Sequence, residues 1–133
     1  MAAAEARSRS DMAGRKLYIF AAAVETATGL ALIIYPPIVT ELLLGEGVSG
    51  TGLALGRVAG FALLSLGLAC WPSRVEVGGK TLSLRAMLTY NLLITVYLLV
   101  LGAGGESTGK LLWPAVVLHG ALTLLLASMW FRA

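Results

Sequence analysis

Leu17–Pro36 reads LYIFAAAVETATGLALIIYP, and Glu25 is its one charged residue. A helix of that length rises about 30 Å, which matches the hydrocarbon thickness of a bilayer. Arg15-Lys16 precedes the stretch and Pro36-Pro37 stops it, because proline lacks an amide hydrogen and restricts the residue before it. The stretch therefore reads as a membrane-crossing helix with a carboxyl group near its middle. It is too long for the apolar core of a signal peptide and has no small-residue cleavage site, so it reads as a retained helix.

Three further stretches share this character: Leu53–Trp71, Ala86–Gly102 and Leu111–Phe131. The third is short and borrows Leu82–Arg85 to reach the span of about 17–25 residues that crossing requires. Each contains a strongly polar group, namely Arg57, Asn91 and His119 in turn. An ionisable group in hydrocarbon costs several kcal/mol unless it is paired or lines a cavity. One per helix implies a polar centre inside a bundle.

The composition agrees. The chain has 133 residues, 58% of them hydrophobic and 13% charged, an imbalance that a soluble domain of this size could not cover. The expected class is all-α: a four-transmembrane-helix antiparallel bundle forming a single domain over 17–133. A disordered tail over 1–16 is expected to precede it, with Met12 an alternative start. The formal net charge of +3 is explained by where the cations lie. Arg7, Arg9, Arg15 and Lys16 precede span one; Arg74, Lys80 and Arg85 separate spans two and three; Arg132 follows span four. Only Lys110 and Arg57 lie toward the other side, so the positive-inside rule places both termini and the middle loop in the cytoplasm. No nucleic-acid partner is implied.

Between spans one and two, Ile38–Leu44 is apolar around Glu41 and suits a short interfacial helix or re-entrant turn. Gly45, Gly47, Gly50 and Gly52 then form a flexible link. A Gly78-Gly79 turn marks the basic loop, and Pro114 sits in the first turn of the last helix, where proline is tolerated. Tyr18, Trp71 and Trp130 are placed at one interface, Tyr35 and Trp113 at the other. Gly52, Gly56 and Gly60 form a small stripe beside Arg57. It suits packing within the bundle on Ala21, Ala22, Glu25 and Gly29, or alternatively a homodimer seam.

Glu25, Arg57, Asn91 and His119 are the candidate ligand-binding residues. Arg57 is placed to bend back to Glu25 as a buried ion pair, or to snorkel outward to Glu41, Glu46 or lipid phosphate. Thr95 and Thr123 lie one turn from Asn91 and His119 and extend the polar strips. Tyr90 and Tyr97 are assigned to packing. With a single histidine and the single Cys70, haem ligation by two histidines, a Cys/His zinc set and an intrachain disulfide are excluded. There is no phosphate-binding glycine loop and no nucleophile elbow.

Gly29 with Pro36, Arg57-Val58-Ala59-Gly60 with Gly67, and His119 together resemble the small bacterial four-helix membrane proteins of the DoxX-like and neighbouring families. The resemblance runs over most of 17–131. It implies a multi-pass protein of the bacterial cytoplasmic (inner) membrane. Some such proteins accompany quinone-linked oxidoreductases, which implies an accessory subunit or a site for a lipid-soluble ligand. The redox-active cysteines of some members have no counterpart here. Two functions stay open: a non-enzymatic accessory subunit or binder of a lipid-like or quinone-like molecule, and a proton-coupled transporter or channel component acting as an oligomer. The partners expected are the bilayer and a homodimer or larger membrane complex. No cofactor is expected beyond a bound lipid or quinone.

Overall fold

The computed structural model describes residues 1–71, 82–105 and 108–132. Every regular element among them is helical: α1 Ala2–Ile34, α2 Pro36–Leu44, α3 Thr51–Ala69, α4 Leu82–Gly104 and α5 Leu112–Arg132. Four helical segments are long and apolar enough to cross a membrane: Met12–Ile34, Thr51–Ala69, Leu82–Gly104 and Leu112–Phe131. Large apolar side chains line their outsides, with Ile34 and Leu124 both 74% exposed and Val117 69%. A soluble monomer rarely carries more than a few hundred Å² of such contiguous surface. Here it is spread over all four helices, as suits a small multi-pass membrane protein. Residues 72–81, which hold Arg74, Lys80 and the expected Gly78-Gly79 turn, lie outside the described residues.

α1 begins at Ala2 and so takes in residues 2–16, where a disordered tail is expected. Ala, Met, Arg and Glu are strong helix formers. A helix already formed at its span also extends without a second nucleation cost. The chain turns at Tyr35, whose backbone leaves the helical region (φ −146°, ψ 76°) just before Pro36. Proline then starts α2, and Gly45 ends it in the left-handed region (φ 93°), its N–H donating to the Glu41 carbonyl. The apolar segment between spans is thus a nine-residue helix.

Two tight helix pairs organise the bundle, α1 with α3 and α4 with α5, joined more sparsely to each other. Glycine makes the first pair. A Cβ at Gly29 would lie 2.6 Å from the Leu64 nitrogen, and one at Gly60 would lie 2.7 Å from the Gly29 carbonyl oxygen. Gly67 faces Ala22 and Thr26 equally closely, and Gly56 faces Pro36. Gly56 and Gly60 of the stripe therefore pack within the bundle, the first of its two expected uses. In the second pair Gly120 meets Thr95, and Gly102 meets Leu112 and Trp113.

Two features tie the pairs together. Near one end a core of Tyr18, Ala21, Ala22, Cys70, Leu84, Met87, Leu122 and Leu126 spans α1, α4, α5 and the end of α3. Near the other end Leu111 N–H donates to the Leu42 carbonyl (2.7 Å) and Thr108 N–H to that of Leu44 (3.2 Å). These bonds satisfy carbonyls at the end of α2 that its own helix leaves open. Trp71, Trp113 and Tyr35 are more than half exposed, whereas Tyr18 is buried in the core rather than displayed at an interface.

Candidate functional site

Glu25 lies in the middle of the first span, one helical turn before Gly29 on the face that α1 turns inward. It is fully buried, and neither carboxyl oxygen has a hydrogen-bond partner of good geometry. His119 Nδ1 on α5 stands 3.9 Å from Glu25 Oε1. The Tyr90 hydroxyl on α4 faces the same carboxyl group closely enough to interact with its charge. The Tyr90 ring also packs edge-on to the His119 imidazole, with centroids 6.1 Å apart and planes at 81°.

Asn91 fixes the imidazole. Its side chain is fully buried, and Nδ2 donates to the Met87 carbonyl one turn back at 2.9 Å. That leaves Oδ1 as the acceptor, 2.9 Å from His119 Nδ1. Nδ1 must therefore carry a hydrogen, and in the neutral ring Nε2 keeps its lone pair. The centre thus presents a carboxyl group, a phenol and an imidazole of defined tautomer. Glu25 comes from one helix pair and the other three residues from the second.

Of the four residues expected to converge, Glu25, Asn91 and His119 do, and Arg57 does not. Arg57 is exposed on α3 and makes no ion pair among the described residues, which corrects the expected Glu25–Arg57 pairing. The reason is angular. Gly60 faces α1 and Gly56 faces Pro36 just beyond it, and each successive residue turns about 100° around a helix of 3.6 residues per turn. Arg57 is carried to the flank, away from α1. Thr95 and Thr123 also differ from the polar strips expected of them. Their hydroxyls donate back to the Asn91 and His119 carbonyls of their own helices, at 2.6 and 2.8 Å.

Tyr90 is the member that the sequence reading assigns to packing. Its signal is its place beside Asn91 at mid-span, where a phenol in hydrocarbon needs a partner. Tyr97, seven residues on, is 60% exposed and carries no such signal. Cys70 is buried 13 residues before Ser83, whose carbonyl its Sγ meets at 3.5 Å, remote in role from this centre. Among the described residues no three of His, Cys, Asp and Glu gather as a metal site.

No family model, curated protein or solved structure matches the chain. The chemistry of the centre must carry the functional argument. A buried carboxyl group without hydrogen-bond donors is costly in a low dielectric.

Proposed function

We propose that this chain is a small protein of the bacterial cytoplasmic membrane, a non-enzymatic accessory subunit or binder. Its mid-membrane centre takes the polar head of a lipid-like or quinone-like molecule. The observation that carries this reading is Glu25, fully buried at mid-span with neither oxygen in a hydrogen bond of good geometry. A hydroxyl-bearing head would supply one. His119, whose side chain is 12% exposed, is the edge from which the centre is approached. The sparse join between the helix pairs leaves the ligand's apolar tail a path to the surrounding acyl chains.

The same reading takes the bundle as antiparallel with both termini cytoplasmic. Residue order along the contacts supports the first part: Thr26 meets Gly67, Gly29 meets Gly60, and Pro36 meets Gly56. The distribution of Lys and Arg supports the second.

Mass spectrometry of what co-purifies in mild detergent tests the proposal. Apart from any phospholipid held on the outer flank of α3, the native chain is expected to carry an amphiphile that Glu25→Gln loses and Arg57→Ala, remote from the centre, retains. Equal retention by Glu25→Gln refutes the assignment. A second reading, proton-coupled transport by an oligomer, draws on the closeness of Glu25, His119 and Tyr90. It replaces the first if no amphiphile is found and liposomes show pH-driven flux that disappears in His119→Ala.

A further inference from the structure

Arg57 takes no part in the polar centre, and its position poses a separate question. A guanidinium stays charged under all ordinary conditions, so in hydrocarbon it must find an anion. Its Cα lies about 9 Å along α3 from Thr51, counting 1.5 Å per residue. Around it Leu55, Val58 and Phe61 are 64%, 61% and 55% exposed. This is a lipid-facing surface, and Arg57 is exposed on it without an ion pair among the described residues. Glu41 and Glu46, the acidic residues before α3, are themselves exposed, and neither pairs with it.

Side chains of a helix lean toward its N-terminus, over the residues three and four before them. For Arg57 those are Ala54, small and exposed, and the half-buried Leu53. A long side chain laid over Ala54 runs toward the start of α3, the glycine link and α2. In a bilayer, the anion at the end of a spanning helix is a lipid phosphate. A guanidinium fork binds phosphate through two parallel charge-assisted hydrogen bonds while its methylenes stay in the acyl region.

We propose that Arg57 is a phospholipid-anchoring residue: from the lipid-facing flank of α3 it binds the phosphate of one phospholipid in the leaflet at the α2 end of the bundle. This site is distinct from the centre around Glu25 and does not depend on it. It recognises the phosphodiester common to phospholipids, not a particular headgroup.

The test is native mass spectrometry of the full chain, delipidated in mild detergent and titrated with phosphatidylglycerol, phosphatidylcholine, phosphate-free diacylglycerol or inorganic phosphate. One molecule of either phospholipid is expected to be held, and diacylglycerol is not. Inorganic phosphate at millimolar concentration is not expected to displace the lipid. Arg57→Leu should weaken phospholipid binding about tenfold or more, the scale of a hydrogen bond to a charged group. Arg57→Lys should weaken it less, since an ammonium keeps the charge but loses the fork. Glu25→Gln should leave it unchanged, so this result and that for the buried centre stand or fall separately. Unchanged far-UV circular dichroism confirms that the variants fold. Equal binding by Arg57→Leu, equal binding of diacylglycerol, or displacement by inorganic phosphate would each overturn the proposal. So would dissociation of an oligomer in Arg57→Leu with lipid binding intact, which would assign Arg57 to a partner's carboxylate.

Discussion

The same substitution, glycine to alanine, should have opposite signs at two positions in this bundle. At Gly60 a Cβ would fall 2.7 Å from the Gly29 carbonyl oxygen and 2.9 Å from the Ile33 nitrogen. Both atoms are backbone of α1, so no rotamer change relieves the overlap. Restoring an ordinary contact of about 3.4 Å requires the helices to part by roughly 0.7 Å. A gap of about 0.5–1 Å forfeits a quarter to a half of each contact it opens, and overpacking of this kind costs about 1–3 kcal/mol. Alanine returns about 1 kcal/mol through better helix propensity. With the clash against rigid backbone atoms of α1, Gly60→Ala should destabilise the bundle by up to about 2 kcal/mol net. At Gly120 the same Cβ would meet Thr95 Cγ2 at 3.6 Å, an ordinary contact. There the propensity term stands almost alone, and Gly120→Ala should stabilise by up to about 1 kcal/mol. Denaturant titration in mild-detergent micelles, followed by far-UV circular dichroism, measures both. If Gly60→Ala is as stable as Gly120→Ala, the close approach of α1 and α3 is wrong.

Three further outcomes follow from the geometry. Asn91→Leu and His119→Leu should each cost about 1–3 kcal/mol by stranding a buried partner, and the double variant should cost clearly less than the sum; additive losses would refute the 2.9 Å bond between them. Glu25→Gln and Arg57→Met should instead be additive within about 0.5 kcal/mol, as expected of residues that do not touch, and a large coupling energy would restore the pairing that the structure replaces. Gly109→Val would drive a side chain into the Leu43 backbone; it should release α2 from the start of α5, seen as faster proteolysis within 36–50, and unchanged cleavage would show that the contact does not hold α2.

Most of the fold was legible in the sequence because hydrocarbon leaves few alternatives. Backbone groups must be satisfied within each segment, so an apolar run of spanning length becomes a helix. Pro36 and Gly45 bound α2, Gly50 precedes α3, and the borrowed Leu82–Arg85 is part of α4. The start of α1 was not legible, because polar composition argued for disorder while Ala, Arg and Glu carry helix propensity into the tail. The glycine stripe was legible as a packing face. Its exact partners were not, since Thr26, Ile33 and Pro36 replace Ala21 and Glu25 on the opposing surface.

The polar centre was legible residue by residue but not as an arrangement, and Arg57 and Tyr90 show why. Hydropathy marks a residue as out of place in hydrocarbon, and Arg57, Asn91 and His119 all qualify. Which of them converge depends on helix rotation, and that was set by glycines the same sequence displays. Once Gly60 and Gly67 face α1 and Gly56 faces Pro36, Arg57 cannot also face α1. The charge most able to neutralise Glu25 is thereby kept outside, and the carboxyl group is left to an imidazole at 3.9 Å and a phenol. A structural ion pair would have closed the centre permanently. An imidazole oriented by Asn91 and held just beyond bonding distance leaves the carboxyl group with no hydrogen bond of good geometry, so its charge is not locked into a permanent pair.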